Sequence, residues 1–117
     1  MIIAIDFGIT NTDIAVSNDG DVNLCSIPSK KVNNEFLKEI IISMNLDIKK
    51  ISKIAVTGGK SSELSNFFDD IPVIKVNEVN AIGHGAISLY DIGDKPFVAI
   101  SAGTGTACVY HQNGHFD

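Results

Sequence analysis

The sequence predicts an α/β protein with a mixed sheet in the order βββαβαβα, followed by the opening hairpin of a second such domain. Three observations carry this. Short β-rich runs and glycine turns fill residues 2–27, the hydrophobic period becomes helical from Asn33 onward, and the opening pattern returns late in the chain. IIAIDFGITNTDIAVSNDG (2–20) and FVAISAGTGTACVYHQNG (97–114) are each an apolar strand, a Gly/Thr-rich turn, a second apolar strand and a polar turn.

The elements follow in order. IIAID (2–6), TDIAVS (12–17) and DVNLCSI (21–27) are strands of an antiparallel meander, with Asn18-Asp19-Gly20 as a hairpin turn. Along NNEFLKEIIISMN, Phe36, Leu37, Ile40, Ile41 and Met44 recur at helical spacing, and Asn33 or Asn34 caps that helix. ISKIAVTGG (51–59) is a strand entering a glycine turn, and SSELSNFF (61–68) places Leu64, Phe67 and Phe68 on one helical face, so a parallel crossover to the strand IPVIKV (71–76) is expected. EVNAIGHGAISLY (78–90) sets Val79, Ile82, Ala86 and Leu89 on the stripe of a further helix. Gly83 and Gly85 would each cost ~1 kcal/mol inside it, which points to close packing or to a ligand's approach. DIGDKP (91–96) punctuates the chain and divides a first domain, 1–94, from a second, 95–117.

Composition excludes several classes. A hydrophobic share of 44% with 20% charged residues is that of a folded globular chain. The net charge of −5, from 14 acidic and 9 basic residues, carries no dense basic run beyond Lys30-Lys31 and Lys49-Lys50, so no nucleic-acid partner is expected. No run approaches the ~20 apolar residues of a membrane helix, and MIIAID enters a strand without a basic leader; no membrane partner and a cytoplasmic location are expected. Cys25 and Cys108 lack metal-ligand spacing and read as small buried core residues. His84, His111 and His115 show no ligand spacing either and read as structural or surface residues.

The chemistry concentrates in the two glycine turns. Asp6-Phe7-Gly8-Ile9-Thr10-Asn11-Thr12 combines a glycine, which lets backbone amides approach a ligand, with hydroxyl and amide side chains that donate hydrogen bonds. Ser101-Ala102-Gly103-Thr104-Gly105-Thr106 has two glycines and two threonines between strands and suits a phosphate still better. One ligand held between related hairpins would explain the repeat. Gly59-Lys60-Ser61 ends like a Walker loop, yet Ile54 stands where that loop needs its first glycine, and no GxGxxG opens a helix. Asp6 closes the first strand, where its carboxylate either holds Mg²⁺ or makes an Asx-type turn. Glu78 starts a helix after a strand end, where it either favours the helix dipole or serves as a general base.

Taken in order and spacing, DFGITNT (6–12), VTGGKS (56–61), NEVNAIGHG (77–85) and AISAGTGTACVY (99–110) resemble the first half of a type II pantothenate kinase, in the actin/hexokinase/Hsp70 superfamily. The resemblance implies two facing ribonuclease H-like, actin-like ATPase domains with ATP and Mg²⁺ between them. By the same resemblance Asp6, Gly8 and Thr10 match the first phosphate motif, with Asn11 and Thr12 completing its turn, and Gly103, Thr104, Gly105 and Thr106 match the second. Glu78 matches the base that takes the proton from the pantothenate hydroxyl, with Thr57, Gly58 and Gly59 as a strand-end wall beside it. The implied protein is a small-molecule kinase of coenzyme A biosynthesis and a homodimer.

Two departures qualify the match. Ile9 stands where that family has a second glycine, and its β-branched side chain resists positive φ. The chain also ends at Asp117, where a second domain would enter its third strand, so the expectation is a polypeptide inactive or nearly so by itself. Another kinase of the superfamily, a dehydratase-activator ATPase and a non-enzymatic nucleotide-binding or self-associating module are the alternatives. Against a ribonuclease H-like nuclease, Asp6 and Asp13 are expected at opposite ends of the first strand pair.

Overall fold

The computed structural model describes residues 1–117. The chain divides into two compact units, Met1–Lys75 and Val76–Asp117. The predicted division fell at 94/95. The difference arises because the helix after Asn77 packs on the strands that follow it.

The first unit is built on a six-stranded mixed sheet ordered β3-β2-β1-β4-β6-β5. β1 (Ile2–Phe7), β2 (Asn11–Asn18) and β3 (Asp21–Pro28) form the predicted meander. Asp19 (φ 49°) and Gly20 (φ 87°) make the two-residue turn between β2 and β3, the left-handed pair that matches strand twist. β4 (Lys53–Gly58) lies parallel to β1, and β6 (Ile71–Lys75) parallel to β4.

One face of this sheet is covered. Ile3, Ile5, Phe7, Ile14, Val16, Ile54, Val56 and Val73 alternate inward along their strands and meet Phe36, Leu37, Ile40 and Ile41 of α1 (Asn34–Ser43). The Phe7 and Phe36 rings lie 5.9 Å apart. Asn33 resolves the capping choice, since its side chain accepts from the Phe36 N–H at 2.9 Å. At the other end Asn45 (φ 54°) takes the left-handed position, and the amides of Asn45 and Leu46 return to the carbonyls of Ile42 and Ile41.

The predicted helix over 61–68 does not form. A single 3₁₀ turn, Ser61–Glu63, precedes the two-residue strand β5 (Phe67–Phe68), which pairs antiparallel with β6. Leu64 and Phe68 are buried while Phe67 is exposed, and the tight Asp69-Asp70 turn, with Asp69 at φ 50°, returns the chain at once. The β4-to-β6 connection is parallel as expected, but not helical.

The second unit consists of α2 (Glu78–Leu89) and the antiparallel strands β7 (Phe97–Ala102), β8 (Thr106–Gln112) and β9 (His115–Phe116). Asn113 (φ 52°) and Gly114 (φ 79°) repeat the left-handed hairpin turn seen at Asp19-Gly20. The expected stripe on α2 is packed in part: Ile82 and Ala86 are half-buried beside the buried Gly83, whereas Leu89 is 79% exposed. The Phe116 ring lies so close that a Cβ at Gly83 would run into it, whereas a Cβ at Gly85 would meet nothing. Close packing therefore explains Gly83.

His111 is buried and stacks between Phe97 (4.8 Å) and Phe116 (4.9 Å), while His84 meets the Phe116 edge. Of the cysteines, Cys25 is half-buried, and Cys108 is exposed rather than in the core because it alternates outward between Ala107 and the buried Val109. No helix is long and apolar enough to cross a membrane.

Candidate functional site

In the first unit the candidate residues gather at the carboxyl ends of the parallel strands β1 and β4. Asp6 is opposite Thr57, and Phe7 opposite Gly58. The Gly59 N–H then donates to the Phe7 carbonyl at 3.1 Å. Gly58 has φ +88°, and a Cβ there would lie 2.6 Å from both Asp6 Oδ1 and the Phe7 carbonyl oxygen. Glycine is required here twice over, by its dihedral and by the closeness of β1. The Walker-like triplet is accounted for differently. Ser61 is buried and its hydroxyl donates to the Gly58 carbonyl at 2.9 Å, closing the turn rather than facing a ligand.

Register corrects one expectation. Asp13 stands directly across from Asp6, and Ser26 directly across from Asp13. Residues opposite one another share a face, so Ser26, Asp13, Asp6 and Thr57 form a polar row across four strands on the face away from α1. The Thr57 Oγ1 atom is buried without a hydrogen-bond partner.

Gly8–Asn11 form the first turn. A Cβ at Gly8 would strike the Asn11 carbonyl oxygen, so this glycine too is set by backbone proximity. Ile9 is not at positive φ and is 81% exposed, so the turn forms without the strain that its β-branched side chain threatened. Ser29, which the sequence did not single out, holds the turn from the end of β3: its N–H donates to the Thr10 carbonyl at 2.9 Å and its hydroxyl to the Gly8 carbonyl at 2.7 Å. Thr12 is fully buried, and its hydroxyl lies 3.0 Å from Ser29 Oγ, which gives Thr12 a structural duty.

The remaining candidates lie in the second unit. Gly103, Thr104 and Gly105 connect β7 to β8 and are exposed, with the Gly103 N–H donating to the Gly105 carbonyl at 2.8 Å. Neither glycine has a positive φ, and a Cβ would meet nothing within 4 Å at Gly105 and only the Gly105 carbonyl oxygen, at 3.9 Å, at Gly103. Glu78 is exposed at the first position of α2, behind an N-cap formed by the Asn77 side chain accepting from the Asn80 N–H at 2.8 Å.

The donor set at Asp6 fits magnesium. Paired carboxylates with a neighbouring hydroxyl are hard oxygen ligands, and Mg²⁺ is held by one or two carboxylates while phosphates and waters complete its shell. No group of three or more His, Cys, Asp or Glu forms a fuller metal cage.

No family model matches the chain. No curated protein matches it either. Solved structures do. A candidate N-acetylglucosamine kinase from Porphyromonas gingivalis shares the fold with a TM-score of 0.68 at 17% identity, covering 100% of this chain and 46% of its own. The activator of the 2-hydroxyisocaproyl-CoA dehydratase from Clostridium difficile, with bound ADPNP, gives 0.67 at 18% identity over 98% of this chain and 44% of its own. A ROK family protein from Streptococcus pneumoniae, in complex with sucrose, gives 0.60 at 21% identity over 99% and 47%.

The chain thus spans less than half the length of these three proteins. At such identities the likeness shows the fold alone: a mixed α/β arrangement around a six-stranded mixed sheet, the fold class that the sequence predicted.

Proposed function

We propose that this chain provides the phosphate-binding part of an ATP-dependent kinase for a small-molecule hydroxyl, with pantothenate as the acceptor to which its motifs point. The observation that carries the reading is the meeting of β1 and β4 at their carboxyl ends. There two glycines imposed by the backbone, Gly8 and Gly58, bring main chain and the Asp6 carboxylate together where open α/β sheets bind ligands. The ADPNP bound by one protein of this fold, and the sugar kinase description of another, support nucleotide and hydroxyl acceptor respectively.

In this reading Gly8, Thr10 and Asn11, with Thr57–Gly59, are the phosphate-receiving residues of the first unit, and Gly103–Thr106 are those of the second. Nothing in the second unit's own fold calls for glycine at 103 or 105, and the approach of a phosphate gives both a purpose. Asp6 holds magnesium, which when bound supplies neutralisation of phosphate charge. Glu78 accepts the proton of the acceptor hydroxyl as its oxygen bonds to the γ-phosphorus and the bond to the β-phosphate oxygen breaks, releasing ADP. A homodimer in the cytoplasm belongs to the same proposal. The dehydratase-activator alternative draws on a likeness of fold, but Cys25 and Cys108 stand on separate strands without metal-ligand spacing.

Amide NMR spectra recorded during titration with Mg-ADP and Mg-ATP test the reading. Weak binding, with Kd above ~1 mM, should shift resonances at Gly8–Asn11, Gly58–Gly59 and Gly103–Thr106. Shifts confined to other parts of the chain, or none, would overturn it.

A further inference from the structure

We propose that Ser29 is the positioning residue of the first turn, setting its backbone in the form that receives phosphate; the idea rests on the nucleotide reading above. A turn between strands can show an anion either its N–H groups or its carbonyl oxygens, and only the first is attractive. The choice is made by whatever fixes the peptide planes.

Ser29 fixes two of them. Its hydroxyl lies 2.7 Å from the Gly8 carbonyl oxygen, which can only accept, so the single hydroxyl proton is used there. Its N–H donates to the Thr10 carbonyl at 2.9 Å. With its proton committed, Ser29 Oγ must accept from the Thr12 hydroxyl 3.0 Å away, which assigns the direction of that bond. Thr12 is fully buried, so the relay Thr12–Ser29–Gly8 is anchored in the core.

The consequence lies on the other side of the turn. No peptide bond is cis, and in a trans peptide the N–H points opposite to the C=O. With the Gly8 and Thr10 carbonyls turned towards β3, the N–H groups of Ile9 and Asn11 are turned away from it, and neither held carbonyl is presented to an anion. Ser29 touches no phosphate in this scheme. It acts through the backbone of residues 8–11.

Two variants and two measurements test this. In Ser29→Ala the hydroxyl is lost and the N–H kept; the initial slope of the ADP-induced shifts at residues 8–11 should fall about fivefold, the equivalent of one hydrogen bond. Ser29→Thr retains the hydroxyl and should restore most of the response, which a mere packing role would not require. Amide hydrogen exchange without nucleotide should quicken at residue 29, whose N–H donates to the Thr10 carbonyl, in Ser29→Ala and remain unchanged on β4.

Wild-type shifts that persist undiminished in Ser29→Ala would overturn the role of Ser29 and leave the nucleotide reading intact. Absence of wild-type shifts at the turn would overturn the nucleotide reading and this inference with it. Unchanged exchange at residue 29 would show that the Ser29 hydroxyl does not set the turn.

Discussion

Substitution Gly58→Ala separates two demands that the fold places on one residue. A non-glycine residue in left-handed conformation costs about 1–2 kcal/mol. At Gly58 the new methyl would also lie 2.6 Å from the Phe7 carbonyl oxygen and 2.9 Å from its carbon, backbone that cannot step aside because β1 is paired on both edges. Forced overlap of that kind adds about 1–3 kcal/mol, so the total is about 2–5 kcal/mol. Gly20→Ala is the control: its φ is +87°, almost the same, but nothing lies within 4 Å of its Cβ position, so only the dihedral cost remains. The chain has no tryptophan, and both tyrosines, Tyr90 and Tyr110, are in the second unit, so intrinsic fluorescence would follow the wrong part. Amide exchange on β1 reports the first unit directly. Protection there should fall by about 1–3 kcal/mol more in Gly58→Ala than in Gly20→Ala. Equal losses would refute the close approach of β4 to β1 at Asp6, and with it the geometry on which the candidate site rests.

Other consequences can be checked alongside. Asn33→Ala removes the cap of α1 and should destabilise the first unit by about 1 kcal/mol, read from urea unfolding followed by circular dichroism. Asp13→Asn relieves like charge directly opposite Asp6 and should stabilise that unit by about 0.2–1 kcal/mol at low salt, with the gain fading as salt is added. Gly83→Val should displace the Phe116 ring, and NMR signals of His84, His111 and Phe97 should move together while those of β1 stay in place. Any transfer of phosphate to pantothenate that the chain supports should vanish in Glu78→Gln with nucleotide-induced shifts retained; turnover kept by that variant would remove Glu78 from the role of base.

Local chemistry was legible in the sequence, and placement was not. The turns at Asp19-Gly20 and Asn113-Gly114 and the cap at Asn33 are decided within a few residues, and each formed as its residue types require. Residues 61–68 misled because Leu64, Phe67 and Phe68 satisfy a helical period by chance; Asp69-Asp70 was a turn signal strong enough to make Phe68 and Ile71 strand partners. Asp13 could not be placed beside Asp6 until strand register was fixed. The burial of Gly83 on α2 was hidden for a related reason, since it is packed by Phe116, more than thirty residues further along the chain. Ser29 carried no motif at all, and its importance lies in reaching back across β2 to residues 8 and 10.

The repeated hairpin now divides into two different objects. In the first, the turn glycine answers to the fold: Gly8 has the Asn11 carbonyl oxygen where a methyl would be, as Gly58 on the neighbouring β4 has that of Phe7, and Ser29 holds the carbonyls of Gly8 and Thr10. In the second, Gly103 and Gly105 have ordinary dihedrals and empty surroundings, so their own unit would accept alanine at either place. Substituting them therefore discriminates between stability and function more cleanly than any change in the first turn. Gly103→Ala with Gly105→Ala should leave unfolding of the second unit within about 1 kcal/mol of the wild type while abolishing nucleotide-induced shifts at Thr104 and Thr106. A large loss of stability would mean that the turn is held by contacts that this geometry does not contain, and unchanged shifts would mean that phosphate does not approach it.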